Sequence, residues 1–235
     1  MASFFWVLAY AMSWFIEYSE IPLHWLEVLR NKFFVFIKEP LLQDYVYVFI
    51  HSLLLKIAVV LAVVLILTLK GKNAWRTLSL HITPGNEWRK FIFCFLIGSL
   101  GLGWFQGLDP LIPSLPAPLF FKESAWVGNV ISIFSISVVA PVTEEIFFRG
   151  LMYPVLQEKL GKLAGIVITA FLFALVHYPQ SHNQWGYLSI IFIVGGVITL
   201  ARALTGSTRF AIQLHLLYNT AILGAGFLHY GIYGY

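Results

Sequence analysis

The stretch IAVVLAVVLIL, residues 57–67, contains no polar side chain and lies inside a longer apolar segment at residues 46–69. A helix needs about 20 predominantly apolar residues to cross the hydrocarbon core of a bilayer. This segment therefore predicts a transmembrane helix. Similar apolar segments predict five more spans, at residues 91–108, 126–147, 160–177, 185–204 and 210–230.

The composition of the whole chain agrees with this prediction. Of 235 residues, 59% are apolar and only 26 are charged (15 Lys+Arg plus 11 Asp+Glu), or 11%, whereas a soluble domain carries roughly 25% charged residues. The composition therefore excludes a soluble globular domain and a disordered chain, and a single cysteine excludes a disulfide scaffold. A net charge of +4 is too small and too scattered to indicate nucleic-acid binding.

The N-terminal part follows a different pattern. Residues 4–16 are apolar but short, which fits a tilted first span or a segment at the membrane interface. Residues 17–45 place apolar side chains at helical spacing among charged residues, as in an amphipathic helix that lies along a membrane surface. We therefore predict an all-α, polytopic membrane helical bundle of about six to eight transmembrane helices with an N-terminal amphipathic segment. Residues 1–45 form the N-terminal unit, and residues 46–235 form the transmembrane domain.

The basic residues orient the predicted spans. Lys and Arg concentrate in alternate connections, at residues 70–90, 159–162 and 202–209. Cytoplasmic loops carry an excess of these residues, so the three connections are predicted to face the cytoplasm. The chain shows no organellar targeting segment and is compact, which favours a prokaryotic plasma membrane as its location.

Three polar sets interrupt the apolar segments. They are Glu144-Glu145-x-x-x-Arg149, Phe173-x-x-x-His177 and His215-x-x-x-Asn219. Ionisable side chains inside membrane spans are costly, and they usually mark a functional site. We therefore take these three sets as the candidate site.

Helix geometry separates the two glutamates. Glu145 and Arg149 are four residues apart and share one helix face, so they can pair, whereas Glu144 is rotated by about 100° and is free to face a cavity. The histidines and Asn219 come from two other helices. Their depths in the membrane match only if the helices tilt, or if the site lies near mid-membrane and the helix of Glu144 continues through residues 147–156.

This set of side chains suits the hydrolysis of an amide. Glu144 can take a proton from water as general base, and His177 can hold the same water or protonate the leaving amine. His215 and Asn219 can donate hydrogen bonds to the oxyanion. A nucleophilic mechanism is less suitable, because Cys94 has no neighbouring histidine in the sequence and no serine lies in a GxSxG motif.

The three ordered motifs resemble those of the CAAX protease and bacteriocin-processing (CPBP, or Abi) family, whose best understood members are the type II CAAX prenyl endopeptidases. The resemblance covers about residues 125–230. It implies an intramembrane protease in which Glu144 and His177 activate water, His215 and Asn219 form the oxyanion side, and no cofactor is required. It also implies a membrane-associated peptide or lipidated protein as substrate, such as a prenylated CAAX protein or a bacteriocin-type leader.

Other interpretations remain open at this point. The Glu145–Arg149 pair can be purely structural, and a glutamate with two histidines can bind zinc, although the HExxH spacing is absent. The chain can also be a non-catalytic membrane protein, such as an immunity or partner-binding factor. A transporter is less well supported, because the sequence shows no inverted pair of broken helices.

Overall fold

The computed structural model describes residues 40–81, 87–108, 130, 133–178 and 185–233, and all regular structure within these ranges is helical. The predicted short span at residues 4–16 and most of the predicted amphipathic segment lie outside the described residues. Residues 40–45, at the end of the predicted amphipathic segment, lie at the start of the first described helix.

Eight α-helices and two π-helical segments follow one another in the described part of the chain. Three helices precede the polar motifs: α1 Pro40–Leu69, α2 Ala74–Thr77 and α3 Glu87–Leu108. The first motif lies on a continuous run of π1 Ser135–Val139, α4 Ala140–Glu145, π2 Ile146–Met152 and α5 Tyr153–Leu160. The remaining helices are α6 Lys162–Val176, α7 Trp185–Thr205 and α8 Thr208–Tyr233.

The helix that carries the two glutamates does continue past residue 147, but not as a regular α-helix. Each π-helical segment ends shortly before a proline, Pro141 after π1 and Pro154 after π2. Proline has no backbone N–H, and its ring clashes with the carbonyl four residues earlier, so a regular α-helical turn cannot form there. A wider π turn accommodates the ring and keeps the run helical through the site.

Two glycines allow sharp reversals between neighbouring helices. Gly161 (φ 85°) joins α5 to α6, and Gly206 (φ 69°) lies between α7 and α8. Both have the positive φ that an L side chain rarely adopts. These short connections bring α5 against α6 and α7 against α8.

Helix α7 packs against α6 and α8, and α8 also packs on α3. One apolar cluster joins π2 to α6 through Phe148 and Phe173, whose rings meet edge to face at 5.2 Å. A second joins α7 to α8 through residues such as Ile198 and Leu214. The candidate site lies between these clusters.

The outer surface of several helices is strongly apolar. On α6, an exposed stripe at helical spacing consists of Leu163, Val167, Phe171 and Leu175, and α1 exposes Leu54, Leu61, Leu65 and Leu69. By length and hydropathy, one described helix is able to cross a bilayer unaided, α7 at Trp185–Thr205. Lys56–Leu69 within α1 and Lys162–Val176 are shorter apolar helices.

Candidate active site

A buried ion cluster joins the first and third motifs. Nη1 of Arg149 donates to Oε1 of Glu145 at 2.8 Å, so the pair predicted from the four-residue spacing is present in the structure. The same carboxylate oxygen accepts from Nδ1 of His215 on α8, at 2.7 Å. Arg149 and Glu145 have no exposed surface, and His215 is 5% exposed. Glu145 is therefore held by two donors at once, while its Oε2 is buried and has no hydrogen-bond partner.

The remaining donors of Arg149 reach α7. Nη2 donates to the carbonyl oxygen of Gly195 at 2.7 Å, and Nε donates to the Thr199 hydroxyl at 3.1 Å. The guanidinium also lies over the ring of Phe173 on α6, 4.5 Å from its centroid. Arg149 thus links π2 to α6 and α7, and to α8 through Glu145. A buried arginine requires several partners, because its charge is removed from water and must be compensated by hydrogen bonds and an opposite charge inside the protein.

Glu144 lies outside this hydrogen-bonded cluster. It is 2% exposed, and its carboxylate interacts electrostatically with both His177 and Arg149. Nδ1 of His177 lies 2.7 Å from the carbonyl oxygen of Phe173. A carbonyl only accepts, so Nδ1 carries the proton in this contact and Nε2 is left with a lone pair when the ring is neutral.

His177 and His215 approach each other across Phe173. The Phe173 ring lies 4.7 Å from the His177 ring and 5.7 Å from the His215 ring, centroid to centroid. The structure therefore brings both histidines and both glutamates to one level of the bundle. This convergence resolves the difference in membrane depth that the sequence implied.

Asn219 is placed differently from the other site residues. Its Nδ2 donates to the carbonyl oxygen of Ile136 in π1, at 2.8 Å. One of its two amide hydrogens therefore bonds to the backbone of π1. The second amide hydrogen and the side-chain carbonyl oxygen take no part in this bond. Asn219 lies one helical turn from His215 on α8, and both residues contact the run that carries the glutamates.

Within the described residues, no group of three His, Cys, Asp or Glu side chains is arranged to hold a metal ion. His215 directs Nδ1 at a glutamate, and His177 directs Nδ1 at a backbone carbonyl. In zinc sites the ligating histidines and carboxylates converge on one point at about 2 Å. Such a common point is not formed by these side chains.

Residues 126–221 match the family model described as Type II CAAX prenyl endopeptidase Rce1-like. This part of the chain is therefore similar to that family. The family consists of membrane proteins. All three polar motifs lie within the matched residues, and the resemblance recognised from those motifs is thereby confirmed.

One curated relative also matches. A protein from Escherichia coli, described as an uncharacterized 24.3 kDa protein, is 28% identical over 109 residues, which is 44% of this chain and 49% of that protein. The match thus spans about half the length of the relative. No solved structure matches the chain.

Three residues of the site were not identified from the sequence. Gly195 and Thr199 bind Arg149, and Tyr187 interacts electrostatically with Glu144. All three lie on α7, which carries none of the motif residues. Gly195 and Thr199 are four residues apart and share a side of the helix, but the same spacing recurs throughout any apolar helix.

Proposed function

We propose that this protein is an intramembrane endopeptidase that hydrolyses a peptide bond with a water molecule activated by Glu144. The observation that carries this proposal is that the two adjacent glutamates have different hydrogen-bond partners. Glu145 holds the hydrogen bonds of Arg149 and His215, whereas Glu144 is buried, takes no part in those bonds and interacts electrostatically with His177. The similarity of residues 126–221 to the CAAX prenyl endopeptidase family supports a peptidase of the CAAX type.

The proposed fold of the intact protein is a bundle of about six to eight transmembrane helices. The outer faces of α1 and α6 expose leucine, valine and phenylalanine, while charged groups such as Arg149 and Glu145 are fully buried. This distribution suits a protein surrounded by lipid, in which polar groups must find partners inside the bundle. The excess of Lys and Arg in alternate connections supports the orientation with those connections in the cytoplasm.

In the proposed reaction, water attacks the carbonyl carbon of the scissile bond. Glu144 takes one proton of the water, the oxygen–carbon bond forms, and the π electron pair moves to the carbonyl oxygen. Nε2 of His177 accepts a hydrogen bond from the second O–H of the water and so orients it, because Nδ1 of His177 donates to the carbonyl oxygen of Phe173. When the intermediate collapses, the carbon–nitrogen bond breaks and the proton on Glu144 goes to the leaving amine.

The proposed substrate is a membrane-associated peptide or a lipidated protein. The family description names prenylated CAAX proteins, and a leader peptide is the second candidate. Apolar surfaces beside the buried site suit a substrate that arrives from the bilayer. We place the protein in a prokaryotic plasma membrane, with the site entered from the cytoplasmic half.

The proposal is tested by comparing membrane and secreted peptides from cells that produce the wild-type protein or Glu144→Gln at equal levels. Glutamine has the shape of glutamate but cannot act as a base at this position. We expect one or more cleavage products, detected by mass spectrometry, to disappear in the variant and their uncut precursors to accumulate. Unchanged products with a folded, membrane-inserted variant would refute the proposal, and the products that disappear would identify the substrate and its scissile bond.

A further inference from the structure

The hydroxyl of Thr199 on α7 is fully buried and takes part in two hydrogen bonds. It donates to the carbonyl oxygen of Gly195, one turn earlier on the same helix, at 2.7 Å. A hydroxyl carries a single hydrogen, so its oxygen meets Nε of Arg149 as an acceptor, at 3.1 Å. The bond to Gly195 therefore aims a lone pair of Thr199 at the arginine of the first motif.

Thr199 and Gly195 together hold one edge of the Arg149 guanidinium. Nε donates to the Thr199 hydroxyl, and Nη2 donates to the carbonyl oxygen of Gly195 at 2.7 Å. The guanidinium is a planar fork, so two bonds along one edge fix its position within the plane. The ring of Phe173 lies against its face, 4.5 Å from the guanidinium carbon to the ring centroid. These contacts determine the direction in which the remaining nitrogen, Nη1, points.

Nη1 is the nitrogen of Arg149 that connects to the candidate catalytic residues. It donates to Oε1 of Glu145 at 2.8 Å, and the same oxygen lies 2.7 Å from Nδ1 of His215. Because one oxygen accepts both donors, a displacement of Nη1 moves the atom to which His215 is bonded. Arg149 and Glu145 have no exposed surface, so solvent offers no replacement for a lost contact.

The position of His215 matters for the proposed hydrolysis. Its Nδ1 is bonded to Glu145, so Nε2 is the ring nitrogen left to face a substrate. Nε2 carries a hydrogen when the ring is protonated, and the carboxylate of Glu145 compensates the charge of that ring. A donor stabilises an oxyanion only if it is already aimed at the place where the negative charge develops. A small displacement of His215 is therefore expected to slow the reaction without weakening substrate binding.

We propose that Thr199 is a positioning residue of the catalytic site. Its hydroxyl orients the guanidinium of Arg149, and through the bond to Glu145 this orientation sets the direction of His215. This inference rests on the proposed endopeptidase function. Thr199 acts through Arg149 and not on the substrate, and its hydroxyl keeps its own proton throughout the reaction.

The test uses a peptide that spans a bond whose cleavage depends on Glu144, assayed with the full-length protein in lipid vesicles. Thr199→Val removes the hydroxyl at nearly constant volume, whereas Thr199→Ser keeps it. Thr169→Val is the matched control, because Thr169 on α6 is equally buried and its hydroxyl has no hydrogen-bond partner among the described residues. We expect Thr199→Val to lower kcat about 10-fold with KM unchanged, and the other two variants to stay within about twofold of wild type.

The bond between His215 and Glu145 is measured separately from activity, by nitrogen NMR of protein labelled at the histidine rings. His215→Gln identifies the signals of His215. We expect the Nδ1 signal to shift in Thr199→Val and to stay in place in Thr169→Val. Should Thr199→Val fail to fold, Thr199→Cys, whose thiol is a weak hydrogen-bonding group, replaces it in the comparison with Thr199→Ser, and the same order of rates and shifts is expected.

A folded Thr199→Val protein with kcat within about twofold of wild type would overturn the inference. Equal losses in Thr199→Val and Thr169→Val, an equal loss in Thr199→Ser, or an unshifted His215 signal would overturn it too. Glu144→Gln is measured in parallel. Cleavage by that variant refutes the endopeptidase mechanism itself, whereas its loss together with full activity in Thr199→Val refutes only the role of Thr199.

Discussion

Arg149 is the residue on which the candidate site depends most. Its nitrogens reach Glu145, Gly195 and Thr199, and its guanidinium lies over Phe173. These partners come from three separate helices. Removing one member of a fully buried ion pair leaves the other charge without compensation, which is strongly destabilising. The side chain therefore both holds the helices together and fixes the carboxylate that anchors His215.

The first prediction concerns the replacement of Arg149 by methionine, which has similar length but no charge. We expect Arg149→Met to lower the free energy of unfolding by about 3–5 kcal/mol, because Glu145 stays buried with one donor fewer. The measurement is equilibrium unfolding in mixed micelles. Arg209→Met is the matched control, since Arg209 is exposed and should change the value by less than about 0.5 kcal/mol. Equal stabilities for the two variants would contradict the structural role of Arg149.

The second prediction concerns metal removal. In the proposed mechanism the glutamate, and not a metal-bound hydroxide, activates the water, so chelation should leave the cleavage rate unchanged. The measurement is the rate of cleavage after incubation with a strong zinc chelator and passage over a desalting column, with and without added zinc. A loss of activity that zinc restores would favour the metal-dependent alternative, in which Glu144, His177 and His215 act as ligands.

At the scale of elements, the close approach of α6, α7 and π2 decides the shape of the site. A Cβ atom built on Gly195 would lie 2.9 Å from Cδ1 of Phe173 and 3.5 Å from Nη2 of Arg149. Phe173 in turn holds His177 through its backbone carbonyl. The absence of a side chain at Gly195 thus permits both the arginine contact and the position of the histidine.

The third prediction follows from this approach. We expect Gly195→Ala to reduce the free energy of unfolding by about 1–3 kcal/mol, because Phe173 or Arg149 must shift to make room. The cleavage rate should fall as well, since the carbonyl that orients His177 moves. Gly224→Ala on α8 is the control, because a Cβ atom there meets nothing within 4 Å. If both variants behave alike in unfolding and cleavage assays, the close packing at Gly195 has no functional role.

The sequence predicted the helices of the described part better than their internal geometry. Long apolar segments indicated α1, α3, α6, α7 and α8, and the four-residue spacing predicted the pair of Glu145 and Arg149. The π turns were not predicted, although the prolines that follow them are visible in the sequence. The contact of His215 with Glu145 was not predicted either, because hydrogen bonds between separate helices depend on rotation and depth, which periodicity leaves undetermined.

At the scale of the whole molecule, a second buried arginine, Arg202, links the segment after α2 to the turn between α7 and α8. Arg202, 8% exposed, donates from Nε to the Thr208 hydroxyl at 3.0 Å and from Nη2 to the Ser79 hydroxyl at 2.9 Å. The backbone N–H of Thr208 donates to the carbonyl of Ser79, and the Ser207 hydroxyl donates to the carbonyl of His81. The segment after α2 is therefore fastened to the turn between α7 and α8.

The fourth prediction tests this connection. We expect Arg202→Met to increase hydrogen exchange at residues 78–81 and to lower the free energy of unfolding by about 1.5–3 kcal/mol, because a hydrogen bond from a charged group is lost. Arg76→Met, which removes an exposed side chain of α2, is the control. Exchange that rises equally in both variants, or in neither, would contradict the role assigned to Arg202.

Charge distribution is the feature of the whole molecule that the sequence predicted most usefully. Few charges occur, and three of those in or beside apolar segments, Glu144, Glu145 and Arg149, converge with the two histidines in the structure. The composition could not show which glutamate is neutralised by two partners. That distinction required the position of α8 relative to α4, and it leads to the assignment of Glu144 as the base.

The most direct test of this assignment is the cleavage rate of a peptide containing the identified bond, measured with the purified protein in lipid vesicles. Glu144→Gln is compared with Glu158→Gln, an exposed glutamate on α5. The account predicts a loss of about 10²–10⁴-fold for Glu144→Gln, as expected when a general base is removed, and no change for Glu158→Gln. A Glu144→Gln protein that is folded, inserted and cleaves within twofold of the wild-type rate would contradict it.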